Sequence, residues 1–182
     1  MRRLIGVLLL ALQLAAPARA LADNDEDCFK ATLDETGDRA IAICGRILAE
    51  GRLQGRNLAR THNNRGLGYL ANQEIDKAMT EFDAAIRADP TYPFAYDNRG
   101  DVWRRRGQPD RAIAEYNEAI RQDPSFISAY VNRAITFEQM GNRSSARADY
   151  EAALEMTGNG RAIDTWAKEV AQRRLKTLGD TN

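Results

Sequence analysis

The stretch "NNRGLGY" at residues 63–69 puts an arginine beside a glycine inside what otherwise reads as a helix. Thirty-four residues later the chain reads "DNRGDVW" at 97–103, and one more step of that length gives "VNRAITF" at 131–137. Set against itself at this spacing, the chain brings Gly66, Gly100 and Ala134 into one column. Ala78, Ala112 and Ala146 fill a second column, and Ala85, Ala119 and Ala153 a third. Rings recur beside them: Tyr69, Trp103 and Phe137 follow the first column, and Phe82, Tyr116 and Tyr150 follow the second. Small residues let two helix backbones approach while rings fill the space alongside. Each unit therefore reads as a helical hairpin.

Local signals agree with that reading. "AIRADP" and "AIRQDP" end the second helix of two units at Asp89-Pro90 and Asp123-Pro124, because proline restricts the residue before it and has no amide to donate. Gly107 and Gly141 fall between the two helices of their units, and Pro109 suits a first helical turn. Within the second helices the apolar stripe runs 78, 82, 85, 86 and then 112, 116, 119, 120, the i, i+4, i+7, i+8 pattern of an amphipathic helix.

A period of 34 with these aromatic, Gly/Ala, alanine and closing-proline positions resembles the tetratricopeptide repeat family. The resemblance covers about 59–160, as units 59–92, 93–126 and 127–160. It implies an all-α helical-hairpin solenoid with a right-handed superhelix. His62 departs from the pattern where Tyr96 and Tyr130 stand, and Gly158 replaces the closing proline of the third unit. The family pattern usually has leucine where Arg65, Arg99 and Arg133 stand, yet sixteen residues after each comes an acid: Glu81, Glu115 and Asp149. These predict an ion pair between the helices of each hairpin, with two independent solvent-facing charges as the alternative.

The chain begins as an export signal does. Arg2 and Arg3 precede an apolar run from Leu4 to Ala16, and "PARA" ends in small residues at Ala18 and Ala20, so residues 1–20 read as a cleaved leader. The apolar run falls short of the roughly 20 residues a membrane-spanning helix needs; a retained anchor is the weaker alternative. The expected location is the periplasm or the exterior. Losing Arg2, Arg3 and Arg19 leaves 23 basic against 26 acidic side chains, which speaks against a nucleic-acid binder.

Cys28 and Cys44 are also sixteen apart, flanking a helix end, a turn and a helix start. Residues 21–58 thus read as a fourth, degenerate hairpin. An even cysteine count in an exported chain predicts a disulfide; a redox-active pair is the alternative, although catalytic dithiols are usually separated by two residues. At the other end, residues 161–182 read as a capping helix and tail, with Ile163, Trp166, Ala167, Val170 and Ala171 on one face.

Chemistry is not indicated. His62 is the one histidine, it lies in an aromatic column, and it has no metal-site companions. No enzyme activity, cofactor or metal is expected. What remains is an inner surface. The resemblance implies that first helices line a concave groove, here Arg60, Asn63, Asn64 and Leu67, then Phe94, Asp97, Asn98 and Asp101, then Ser128, Val131, Asn132 and Ile135. Asn64, Asn98 and Asn132 form a ladder that would pair with the backbone of an extended peptide, or else with neighbouring helices or water. The family's clamp for a terminal carboxylate is matched only at Asn98. The expected function is non-catalytic binding of a peptide or protein partner in the cell envelope. Assembly of copies through an outer or end face is the alternative.

Overall fold

The computed structural model describes residues 26–33, 37–158 and 161–179; the expected leader at 1–20 lies outside them. The described residues hold nine helices and no strand. In chain order these are α1 (26–31), α2 (Asp38–Ala49), α3 (Gly55–Ala71), α4 (Ile75–Ala88), α5 (Pro93–Arg105), α6 (Pro109–Gln122), α7 (Ile127–Gln139), α8 (Arg143–Glu155) and α9 (Ala162–Gly179). The chain divides into two compact units, Met1–Glu81 and Phe82–Asn182, with the division falling within α4.

In the first unit α2 packs on α3. Their backbones meet at two glycines: a Cβ added to Gly37 would lie 1.8 Å from the Gly68 carbonyl oxygen, so no other residue fits there. Asn72 secures the same junction, accepting from the Gly37 amide at 3.0 Å and donating to Asp38 at 2.6 Å. Cys28 on α1 turns inward with Ala31, and its sulfur lies 2.07 Å from that of Cys44 on α2. These cysteines form a small core with Ile47 and Leu53.

In the second unit α5 pairs with α6 and α7 with α8, as the period predicts. All six alanines of the two alanine columns are fully buried, as are Phe82, Tyr116 and Tyr150. Each helical stop has its own local bonding. Asp89 accepts from the amide and hydroxyl of Thr91, and Asp123 does the same for Ser125. One turn further on, Tyr96 donates to the Pro90 carbonyl and Tyr130 to that of Pro124. The hairpin turns use left-handed backbone at Gly107 (φ 70°) and Gly141 (φ 79°); in the first repeat the same position is Gln73 (φ 61°).

The C-terminal helix α9 packs on α7 and α8. Its buried side is Asp164, Ala167, Val170, Ala171 and Leu178, rotated from the expected stripe. Ile163 and Trp166 instead stand open, 40% and 46% exposed. The cause is Asp164: its carboxylate is held at 3.1 Å by two nitrogens of Arg161, which supplies the partner that lets a charged residue go inside.

Candidate functional site

The arginine that opened the sequence question meets its acid in every repeat. Arg65 donates to Glu81 at 2.6 Å, Arg99 to Glu115 at 2.8 Å, and Arg133 grips Asp149 with two bonds at 2.7 and 2.8 Å. In the second unit each arginine also reaches back sixteen residues, Arg99 to Asp83 and Arg133 to Asn117. The backward spacing of sixteen is as regular in the sequence as the forward one, but its partners, Asp83 and Asn117, differ in type and so form no single column. These guanidinium groups tie second helices across a first helix, and they are consumed by the scaffold. They are not free to hold a ligand.

The neighbourhoods of the acids differ. Burial pushes the Glu81 carboxyl up, but hydrogen bonds from His62 (2.8 Å) and Arg65 outweigh it and hold the group below its ordinary value. Glu115 is raised: burial dominates the single arginine, and Asp83 and Glu118 add like charge. His62 thus spends its ring nitrogen on Glu81, in the place where later repeats use a tyrosine.

The predicted inner surface is taken unit by unit. In the first unit α3 carries Arg60, Asn63, Asn64 and Leu67. Asn63 and Asn64 are both buried, and the Asn64 amide nitrogen meets no hydrogen-bond partner among the described residues. Arg60 and Leu67 are half-buried.

In the second unit α5 and α7 lie side by side and carry the other eight. The Asn132 amide crosses between them and donates to both oxygens of Asp97, at 3.0 and 3.2 Å. That rung of the asparagine ladder is therefore spent on a neighbouring helix. Asp97 is only 7% exposed, and burial pushes its carboxyl up to about 7 against the opposing pull of Asn132. Asp101, one turn on, pairs with Arg104 and with Arg105, the latter at 2.8 Å. Val131 is fully buried in the core around Tyr150, and Ser128 is buried too, so neither lines an open surface. Their period matched the groove, but α7 turns that face inward.

What stays accessible on this face is Phe94, Asn98, Asp101, Asn132 and Ile135, all half-buried. Phe94 packs against Phe126 with centroids 4.7 Å apart and the rings tilted by 51°, and Arg161 lies 5.6 Å from both rings. Ile135 opens onto a pocket of about 400 Å³ shared with Trp166, Val170, Arg173, Arg174 and Thr177. That pocket follows from the rotation of α9, which periodicity does not report. Among the described residues no cluster of His, Cys, Asp and Glu is suited to a metal ion.

A tetratricopeptide repeat model matches residues 59–92 and 127–159, and a TPR repeat model matches 100–141; together they span just over half of the chain. Among curated protein sequences no match reaches significance. Solved structures are similar in fold. The first TPR of Spaghetti (RPAP3), bound to HSP90 peptide SRMEEVD, is 22% identical with a TM-score of 0.59, covering 69% of this chain and 94% of that one. MamA protein is 26% identical with a TM-score of 0.58, covering 75% of each chain. The Sgt2 TPR domain from Aspergillus fumigatus is 21% identical with a TM-score of 0.56, covering 69% and 84%.

Proposed function

Since the chain belongs to the tetratricopeptide repeat family, we propose that it is a non-catalytic interaction module that takes a peptide or protein partner on the first-helix face of its repeats. The observation that carries the reading is the α5–α7 face. Asn132 and Asp97 lock the two helices together, and beside that lock Asn98, Asp101, Phe94 and Ile135 keep accessible surface. A fixed wall with an amide, a carboxylate and two apolar groups suits an extended chain. The amide satisfies backbone groups, and the apolar groups hold side chains. A preorganised wall also spares the partner the cost of ordering the receptor. The neighbour solved with an HSP90 peptide supports this use of the fold.

The same proposal places the protein in the cell envelope, after cleavage of residues 1–20, with Cys28 and Cys44 joined. A leader-like start and a cysteine pair brought to bonding distance support it. The test is capture from envelope extract with wild type and with Asn98→Ala, chosen because Asn132→Ala would strand the buried Asp97. Partner recovery falls severalfold in the variant while helicity is unchanged. Equal recovery moves the site off the α5–α7 face.

A further inference from the structure

An ionised carboxylate only accepts hydrogen bonds, whereas a protonated one also donates, and an asparagine amide has an accepting end and a donating end. Where the two face each other, the charge of the acid decides which end of the amide turns away from it. Asp97 on α5 and Asn132 on α7 stand so. Asp97 is buried, and both of its oxygens meet one nitrogen, Nδ2 of Asn132, which is the arrangement an ionised acid requires. The Asn132 nitrogen is spent there, but its oxygen is not. That oxygen accepts no bond from the described residues and is not enclosed, so it is open to a partner on the accessible face.

The acid is also one that can change its charge. Among the described residues no cation forms an ion pair with it: Arg104 and Arg105, on its own helix, both bond to Asp101 one turn away. Asp101 adds like charge, and Arg104 opposes it without bonding to Asp97. From α6 comes the hydroxyl of Tyr116, which burial and the two aspartates keep protonated. From α7 the group that bonds to Asp97 is the neutral Asn132. Burial outweighs that amide, so the carboxyl rises to about 7 and takes up or releases its proton near neutrality.

We propose that Asp97 sets the hydrogen-bonding polarity of the partner face through Asn132. With Asp97 ionised, the amide turns its oxygen outward and takes an N–H of the partner's backbone. With a proton from solvent on Asp97, the amide turns over: Oδ1 accepts the acid O–H, Nδ2 keeps one bond to the other carboxyl oxygen, and the second N–H faces outward to a backbone carbonyl. One proton thus exchanges an acceptor for a donor at one spot, while α5 and α7 stay joined in both states. Each residue of an extended partner offers one donor and one acceptor, so the bound chain must shift or give up that bond. A lost bond of this kind weakens binding about fivefold or more. The inference rests on the α5–α7 face being the partner site, and adds to it the backbone group that is met and the proton that governs it.

Carbon and nitrogen NMR of the isotope-labelled full chain, taken from about pH 5.5 to about pH 8.5, reads the switch with no partner present. The Asp97 carboxyl carbon titrates near 7, and the Asn132 side-chain NH2 signals move with the same midpoint. Those of Asn117, whose oxygen is held by the permanently charged Arg133, stay still. In Asp97→Asn the neutral group holds the donor-outward form at every pH, and the Asn132 signals stop responding. Partner capture from envelope extract at about pH 6 and about pH 8 then differs severalfold for wild type and is equal for Asp97→Asn. Asn132 signals that do not follow Asp97, or wild-type capture that is equal at both pH values, overturn the proposal. If Asp97→Asn folds poorly, the wild-type titration and capture decide it. The two readings fail separately: an unmoved Asn132 amide ends the switch, whereas Asn98→Ala capture equal to wild type ends the site.

Discussion

A carboxylate that rests both oxygens on one asparagine amide, with almost no water around it, keeps its proton to higher pH than an exposed one. Asp97 does so, and its raised value has a consequence for stability. Between the ordinary 3.8 and about 7 the folded chain holds a proton that the unfolded chain has released, so stability falls as pH rises through that window. Asp97→Asn keeps the shape and removes the titration. Denaturant unfolding at pH 4.5 and pH 8 is expected to show wild type losing stability at the higher pH and the variant losing less; an equal loss in both would remove Asp97 as the source. The repeat arginines behave differently. They are permanently charged; Arg65 and Arg133 meet acids only 7% exposed and Arg99 meets a half-buried one, so removing either partner would leave the other charge poorly solvated.

Helices end and turn here for local steric reasons, which is why the hairpins are regular. Three equivalent turns require left-handed backbone, and two of them have glycine. The third has Gln73, whose Cβ makes that conformation costly by about 1 kcal/mol. Gln73→Gly is therefore expected to stabilise the protein by up to about 1 kcal/mol, while Gly107→Ala destabilises it by a similar amount. The space around Gly107 is open, so the alanine meets only the backbone cost. Urea midpoints of the two variants check both signs. Gly100 has a different reason. A Cβ there would lie 2.6 Å from the Tyr116 ring, which shows that the small column serves close packing against a ring and not a turn.

Local stability varies along a chain, and each of the two units is to be taken by itself. The first holds a small core around Cys28 and Cys44, and its α1 is a short helix that would be marginal alone. A bond between these cysteines would contribute about 3 kcal/mol by chain entropy. Reduction is expected to lower amide-exchange protection in α1 and α2 and to leave α5 to α8 unchanged. Protection that is the same in oxidised and reduced protein would show the sulfurs to be unlinked in solution. The second unit depends on α9, which covers the apolar sides of α7 and α8 and leaves Trp166 outside as the rim of a pocket.

The 34-residue period, the Asp-Pro stops and the sixteen-residue spacing of arginine and acid were legible in the chain because each is a short-range or strictly repeated constraint. They specified the helices, the hairpins and the ion pairs within them. The groove was legible only in outline. Val131 and Ser128 share its period yet face the core, and Asn132 spends its amide on Asp97, because the facing of a helix depends on what packs behind it. The same holds for α9. A bidentate Arg161 lets Asp164 go inside, and that turns Ile163 and Trp166 outward; no pattern within the helix encodes a rotation set by a partner outside it.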